Sequence, residues 1–212
     1  MNVATLRIIR QSNTHGSACV CKMSKSRNQL RIIGGQWRGR KLSFPEVPGL
    51  RPTPDRVRET LFNWLAPLIN GARCLDLFAG SGALGLEALS RGAAQVILVD
   101  NQPAVVAHLR ANVTLLQTQA AKVIKEQALT YLRSPATAFD VVFLDPPYQS
   151  DWIGQCIELL EQGGWLTAHA WIYLEAPAKV GLPPLPANWH VSRSKVAGEV
   201  GYHLVERVAP QD

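Results

Sequence analysis

Residues 74 to 85 read Cys-Leu-Asp-Leu-Phe-Ala-Gly-Ser-Gly-Ala-Leu-Gly, and the pattern of these residues indicates the fold class. Its apolar beginning, in which Asp76 is the only polar residue, predicts a buried parallel strand. Gly80, Gly82 and Gly85 follow, and the leucines and alanines after them have the spacing of a helix. A glycine turn between a strand and a helix predicts a ligand site, because glycine admits a ligand close to the backbone and the amides at the helix start can point at it.

A second apolar run, residues 96 to 99, ends in Asp100, about 20 residues after the first glycine. A carboxylate at this position can accept hydrogen bonds from the two hydroxyls of a ribose. The two features together predict that a nucleoside-containing ligand binds at this edge of the sheet. The glycine pattern alone is also compatible with a tight turn that binds nothing.

A third apolar run, residues 139 to 144, leads into Asp145-Pro146-Pro147-Tyr148. Two consecutive prolines remove two backbone N–H donors and keep the chain extended. The Asp145 carboxylate and the Pro146 carbonyl are therefore left as acceptors, and Tyr148 offers a flat aromatic face beside them. This combination suits a planar base whose exocyclic amine must be held and oriented.

The glycine turn, Asp100 and the Asp-Pro-Pro-Tyr stretch together resemble an S-adenosylmethionine-dependent methyltransferase that acts on an exocyclic amino group. Two further stretches narrow the resemblance: Arg31-Ile-Ile-Gly-Gly-Gln-Trp-Arg-Gly-Arg40 and Arg51-Pro-Thr-Pro-Asp-Arg-Val-Arg-Glu-Thr-Leu-Phe-Asn63. With them, the chain closely resembles the bacterial RsmD family of 16S ribosomal RNA guanine-N2 methyltransferases over roughly residues 30 to 208.

The resemblance implies the activity, the cofactor and the roles of individual residues. The expected reaction moves a methyl group from S-adenosylmethionine to the N2 amine of guanine 966 of 16S ribosomal RNA during small-subunit maturation. The expected catalytic residues are Asp145, Pro146, Pro147 and Tyr148. The expected cofactor-binding residues are Asp76, Phe78, Ala79, Gly80, Gly82, Asp100, Asn101, Gln127, Arg56 and Glu59. Gln127 stands where many methyltransferases carry an acid for the adenine amine, so its amide oxygen would take over that contact.

Strand patterns alternate with helix patterns along the rest of the chain, which predicts a mostly parallel, doubly wound α/β sheet. Helices are expected over residues 104 to 116 and 151 to 160, and strands over residues 122 to 125 and 171 to 175. Residues 191 to 196 and 202 to 208 are expected to close the chain as an antiparallel pair. The resemblance specifies the Rossmann-like class I methyltransferase fold, with seven strands, helices on both faces and an N-terminal β-hairpin.

Positive charge is concentrated at the beginning of the chain. The net charge is +6, but nine of the 22 Lys and Arg residues and none of the 16 acids lie in residues 1 to 45. This asymmetry indicates a polyanionic partner for an N-terminal element. Two short strands around the Gly-Gly-Gln-Trp turn predict a hairpin, whose guanidinium groups and tryptophan suit phosphate contact and base stacking. The expected RNA-binding residues are Arg31, Trp37, Arg38, Arg40 and Lys41.

These patterns divide the chain into a basic, disordered segment (residues 1 to 29), a hairpin with its linker (30 to 50) and a methyltransferase domain (51 to 208). Met23 is a possible second start, since no core pattern precedes it. The chain has no apolar run long enough for a bilayer and no secretory pattern, and its four cysteines form no disulfide or metal framework. The five histidines are scattered, so no metal site is expected. We expect a cytoplasmic monomer that acts on 16S ribosomal RNA, within an assembling small subunit or free, without a membrane partner.

Three other functions remain open at this point. An adenine-N6 DNA methyltransferase also uses Asp-Pro-Pro-Tyr, although the Arg-rich hairpin and the lack of a separate recognition domain disfavour it. An NAD-dependent oxidoreductase explains the glycines and Asp100 but leaves residues 145 to 148 without a role. A non-catalytic RNA-binding module explains the charge but neither of the two predicted pockets.

Overall fold

The computed structural model of the protein describes residues 28–146 and 152–209. This part of the chain contains nine strands and five helices, and no helix in it has the length and apolar character needed to span a membrane. The strands are β1 (Gln29–Arg31), β2 (Lys41–Ser43), β3 (Arg73–Asp76), β4 (Gln95–Asp100), β5 (Ala121–Lys125), β6 (Phe139–Leu144), β7 (Leu166–Pro177), β8 (Trp189–Ala197) and β9 (Val200–Val208). The helices are α1 (Asp55–Leu65), α2 (Gly85–Ser90), α3 (Pro103–Leu115), α4 (Ala128–Leu132) and α5 (Trp152–Gln162).

Seven strands form one sheet in the order β5-β4-β3-β6-β7-β9-β8. The first five in this order are parallel, and β9 runs antiparallel to both β7 and β8. The chain proceeds outward from β3 to β5 and then returns to the other side of β3 with β6. This reversal opens a crevice at the carboxyl ends of β3 and β6, where ligands bind in open α/β sheets. The predicted fold class is therefore confirmed.

The strands alternate their side chains between two apolar clusters, one on each face of the sheet. Cys74, Leu98 and Phe143 belong to the cluster that packs against α1, α2 and α3, while Leu75 and Val142 belong to the one that packs against α4 and α5. Nearly continuous burial of β3, β4 and β6 explains why these strands have unbroken apolar sequences. Helices cover both faces, and the carboxyl ends of the strands remain as the edge available for a ligand.

The predicted hairpin is present and packs against the first of these faces. β1 and β2 are antiparallel, with Leu30 opposite Leu42, and Ile32 is fully buried. The turn between them lies on the C-terminal end of α2, because the Gln36 amide donates to the Ser90 carbonyl at 2.8 Å. Gly35 has a φ of +75° here, and a Cβ atom would lie 1.7 Å from the same carbonyl oxygen. Only glycine fits this contact.

Some details differ from the sequence-based expectations. No side chain caps α1, which begins at Asp55 directly after Pro54, and the buried Thr53 accepts a hydrogen bond from Arg58 Nε through its carbonyl. Strand β7 is longer than expected, and the short helix α4 was not predicted. The expectation of disorder for residues 1 to 29 lies almost entirely outside the described residues.

Candidate active site

The glycine turn after β3 is held from inside by two carboxylates. The Gly80 amide donates to Asp100 Oδ2 at 3.1 Å, and the Gly85 amide donates to Asp76 Oδ2 at 3.0 Å. The Gly82 amide donates to the Ala79 carbonyl at 2.7 Å. The expectation that the amides of this motif point at a ligand is thus wrong for its three glycines. They are not available to hold the pyrophosphate of a dinucleotide.

The same glycines are required by space and by backbone conformation. Gly80 and Gly82 have φ values of +48° and +80°, which L side chains rarely adopt. A Cβ atom on Gly85 would lie 2.4 Å from Leu98 and 3.1 Å from Asp76, so α2 could not approach the sheet as closely. Leu50, from the linker after the hairpin, reaches within 2.9 Å of the Cβ position of Gly80. The linker therefore covers the glycine turn, which the sequence did not predict.

Four acids lie at the carboxyl ends of neighbouring strands, on the face covered by α1 and α2. Asp76 of β3 pairs with Leu98 of β4 and with Phe143 of β6. Two residues further along these neighbours lie Asp100 and Asp145, which therefore share that face. Phe143 in turn pairs with Tyr173 of β7, so Glu175 lies beside Asp145. The described residues contain no His, Cys, Asp or Glu cluster with the geometry of a metal site.

The proximity and burial of these acids raise their pKa values. Burial raises the pKa of Asp76 to about 7, the Gly85 and Phe78 amides lower it, and the charge of Asp100 raises it. Burial also raises the pKa of Asp100, against the opposing effect of the Gln102 and Gly80 amides. The pKa of Asp145 is raised well above its ordinary value by burial and then by Glu175 and Asp76. Such a group of acids favours a ligand that brings positive charge.

The predicted catalytic stretch begins at this edge. Asp145 follows β6 directly and is partly exposed, and Pro146 after it is buried. Pro147 and Tyr148 lie outside the described residues. Phe78, on the glycine turn, is half-buried and stacks against Trp152 at the start of α5, with 5.8 Å between ring centroids. Trp152, the first described residue after Pro146, therefore lies close to the glycine turn.

The other residues that the sequence predicts to bind the cofactor differ in how close they lie to this edge. The Ala79 amide donates to the Val99 carbonyl at 2.9 Å, and the Glu126 amide donates to the Asp100 carbonyl at 3.1 Å. Gln127 is exposed beside Glu126, and Asn101 is exposed beside Asp100, so both adjoin the edge. Arg56 and Glu59 are exposed on α1. In the described part of the chain no hydrogen bond or ion pair joins these two side chains to the glycine turn.

Comparisons with known proteins identify the family of this chain. The family model described as conserved hypothetical protein 95 matches residues 30–206. Ribosomal RNA small subunit methyltransferase D of Escherichia coli is 54% identical over 181 residues, which cover 85% of this chain and 91% of that one. The protein of the same name from Haemophilus influenzae is 44% identical, with 85% and 95% covered.

The chain belongs to the RsmD family.

Solved structures support the same assignment. One from Escherichia coli, described as a candidate methyltransferase, is 51% identical with a TM-score of 0.82, covering 86% of this chain and all of that one. One from Haemophilus influenzae, described as a candidate methylase, is 42% identical with a TM-score of 0.73, covering 85% of this chain and 99% of that one.

The five residues expected to bind RNA in this RsmD chain differ in their exposure and in their contacts with the rest of the protein. Arg31 is exposed and lies 3.9 Å from Asp55, and Arg38 and Lys41 are also exposed. Arg40 is exposed but donates from Nη1 to the Leu115 carbonyl at the end of α3, at 3.0 Å. Trp37 is half-buried and packs against the core. Part of its ring is therefore used by the fold.

A buried ionic network joins the hairpin of this RsmD protein to α1 and α2, and the sequence-based interpretation did not find it. Glu87, fully buried, accepts hydrogen bonds from the Ile33 and Gly34 amides and from Arg91 Nε, each at 2.8 Å. Arg58, also fully buried, lies 3.5 Å from the same carboxylate. The burial of Arg58 could have been predicted from its position on α1. It lies four residues before Phe62 and seven before Leu65, on the same buried face of the helix.

Proposed function

We propose that this chain transfers a methyl group from S-adenosylmethionine to the exocyclic N2 amine of a guanine in 16S ribosomal RNA. The observation that carries the proposal is the position of Asp145 and Pro146, directly beside the glycine turn that Asp76 and Asp100 hold. Membership of the RsmD family supports ribosomal RNA as the substrate, since the similar curated proteins are named ribosomal RNA small subunit methyltransferase D. Guanine 966 is the target position that the family resemblance implies.

The cofactor would lie along the carboxyl ends of β3 and β4. Asp100 would bind the ribose hydroxyls with the carboxylate that also accepts the Gly80 amide. Phe78, Ala79, Asn101 and Gln127 would surround the adenosine. When bound, S-adenosylmethionine supplies a methyl group on a positively charged sulfur. Acids at this edge favour such a cation, whereas glycine amides already bound to Asp76 and Asp100 do not favour a dinucleotide.

The target base would lie against Asp145 and Pro146. The lone pair of an exocyclic amine is delocalised into the ring, so the amine is a poor nucleophile. Hydrogen bonds from its N–H groups to the Asp145 carboxylate and the Pro146 carbonyl would localise that lone pair and hold it in line. Tyr148 would stack on a base that has left its helix or loop. Arg56 and Glu59 would line the space between the base and the cofactor.

The hairpin would bind the RNA backbone while the edge of the sheet reads the base. Arg31, Arg38 and Lys41 are exposed and can contact phosphates. The hairpin turn lies at the C-terminal end of α2, and α2 leads away from the glycine turn, so the RNA would extend along the α1 and α2 face. A single copy of the chain in the cytoplasm would suffice, acting on an assembling small subunit or on free RNA.

A methyl-transfer assay tests the proposal. The purified protein is incubated with labelled S-adenosylmethionine and 16S ribosomal RNA, small subunits, or DNA, and modified nucleotides are mapped by mass spectrometry. N2-methylguanine at a single position in the RNA is expected. Detection of N6-methyladenine in DNA would show that the substrate is DNA and not 16S ribosomal RNA. Binding of NAD without binding of S-adenosylmethionine would show that the chain is not a methyltransferase and would favour an oxidoreductase.

A further inference from the structure

We infer that the edge strand β8 carries a second RNA-binding surface, formed by Arg193 and Lys195. It binds the phosphate backbone of the substrate on the side of the candidate active site that lies away from the hairpin. The inference rests on the proposed function for its choice of RNA as the polyanion. The placement and the exposure of the two cations do not depend on that choice.

The register of the last strands places both cations on the face of the sheet that carries Asp145. Lys195 lies opposite Tyr202 of β9, and Tyr202 lies opposite Glu175 of β7. Because Glu175 lies beside Asp145, one row of side chains runs across the sheet from Asp145 to Lys195. Three strand spacings separate the ends of this row, which is about 14 Å. Arg193 precedes Lys195 by two residues and therefore shares its face.

A bulge in β8 is responsible for this placement. Between Val191 and Arg193 the pairing with β9 shifts by one residue, so that Ser192 is an extra residue in the strand. Side chains alternate between the two faces of a strand, so without the extra residue Arg193 and Lys195 would lie on the opposite face. Bulges commonly redirect side chains beside active sites. Here the bulge turns two cations toward the face on which the base would bind.

Neither cation is neutralised by an acid. Both residues are exposed, and among the residues that the structure describes no ion pair includes either side chain. Arg193 donates from Nη1 to the carbonyl of Ser192 at 3.1 Å, which uses one of its five N–H donors. Glu206 of β9 lies opposite His190, at the end of β8 that is far from the active-site edge. The charge of the pair is therefore available to a polyanion.

Helix α1 connects this surface to the hairpin. Near the start of α1, Arg58 Nη2 donates to the Arg31 carbonyl of the hairpin at 3.0 Å. Near its end, the ring of Trp64 stacks on Tyr202, with 5.6 Å between the ring centroids. In the order of the sheet, β6 lies between the strands next to α2 and the edge strand β8. An RNA chain bound at both the hairpin and β8 would thus cross the end of β6, where Asp145 lies.

The spacing of the two cations suits one strand of RNA. Residues two apart in a strand lie about 7 Å from each other along its axis, so Arg193 and Lys195 can contact neighbouring phosphates. Such contacts hold the backbone and carry no sequence information, while the base is read at Asp145. The surface would therefore contribute to affinity and to the salt dependence of binding.

A double variant tests the contribution of the surface. Arg193→Ala with Lys195→Ala should reduce the log–log salt slope of binding to 16S ribosomal RNA by about 1 to 2, and should weaken binding roughly tenfold at about 0.15 M salt. Lys122→Ala with Arg133→Ala is the charge-matched control. Both control residues are exposed, and Lys122 lies opposite Ile97 on the other face of the sheet. The control should keep the wild-type slope.

A charge-preserving variant tests the role of the face. Lys195→Val with Val196→Lys keeps composition and net charge but moves the ammonium group to the opposite face. Val196 is 63% exposed, so a lysine can be placed there. The salt slope should fall by about 0.7 to 0.9, as expected for Lys195→Ala alone. Urea unfolding and S-adenosylmethionine affinity should match wild type in every variant, which verifies the fold.

These binding measurements keep the inference separate from the proposed function. An unchanged slope in the double variant, a wild-type slope in the charge-preserving variant, or an equal reduction in the control would overturn the inference, even where the wild-type protein methylates RNA. If the slopes change as expected and no RNA is methylated, the RNA-binding surface is supported and the proposed function fails.

Discussion

The carboxylate of Asp100 accepts the amide of Gly80 at 3.1 Å and so ties the end of β4 to the turn that follows β3. The residue expected to bind the ribose therefore also maintains the shape of the glycine turn. Its second oxygen accepts the Gln102 amide at 2.8 Å. Substitutions at Asp100 should consequently affect the cofactor more than the RNA.

Asp100→Ala should weaken S-adenosylmethionine binding by roughly 1 to 3 kcal/mol, the scale of hydrogen bonds to a charged group. RNA affinity should hardly change. Titration calorimetry of both ligands measures these effects, with Asp140→Asn as a control at the opposite end of a strand. Unaltered cofactor binding would show that the ribose contact is wrongly assigned.

Asp145→Ala should abolish methyl transfer while S-adenosylmethionine affinity stays within a few-fold of wild type. The reason is that Asp145 orients the target amine, and losing one such contact costs about a hundredfold or more. Turnover is measured with labelled cofactor, and binding is measured separately by calorimetry. If the variant kept more than about a tenth of the wild-type turnover, Asp145 would not have this role.

The cofactor-free protein should lose stability between about pH 4 and pH 7 through Asp76. Burial raises the pKa of Asp76 to about 7 in the folded state, above the value of about 3.9 in the unfolded chain. The folded state thus binds the proton more tightly, so this contribution is complete below about pH 4 and is lost as the pH rises through about 7.

Urea unfolding of Asp76→Asn at pH 5 and pH 8 measures this contribution, and the difference between the two pH values should shrink relative to wild type. Asp140→Asn is the matched control, because Asp140 also accepts a backbone amide, from Arg73 at 2.8 Å. An equal pH dependence in wild type and Asp76→Asn would exclude Asp76 as its source.

Glu87→Ala should lower the free energy of unfolding by about 3 to 5 kcal/mol, because it leaves Arg58 as a buried cation without this partner. It also removes the acceptor for the Ile33 and Gly34 amides, so proteolysis within the hairpin should become faster. Glu59→Ala, on the exposed side of α1, should change stability by less than about 0.5 kcal/mol. Similar stability of the two variants would mean that the network contributes little.

Replacing Arg38, Arg40 and Lys41 with alanine should weaken RNA binding and reduce the log–log salt slope by about 2 to 3, at roughly 0.7 to 0.9 per phosphate contact. A reduction nearer the lower value would fit the contact of Arg40 with Leu115. RNA affinity across a salt series measures the slope, and Arg110, Lys122 and Arg133, exposed elsewhere, provide a control triple. An unchanged slope would place the RNA surface away from the hairpin.

Local sequence patterns determined much of this molecule. Strands β3, β4 and β6 could be predicted from their apolar runs, because parallel strands are buried on both faces. The hairpin could be predicted because two short strand patterns flank a glycine-containing turn. Asp100 could be singled out because its spacing from the first glycine follows from one strand–helix–strand unit.

Tertiary structure alone decided how the acids and the buried ions are paired. Glu175 lies beside Asp145 because β6 pairs with β7, and Glu87 meets Arg58 because α1 and α2 share one face of the sheet. The Gly85 and Gly80 amides bind Asp76 and Asp100. These hydrogen bonds also depend on tertiary structure, because residues that are distant in the chain become neighbours only when the strands are in register and the helices are packed. No local period in the sequence encodes that register, so the charge state of the site follows from the fold as a whole.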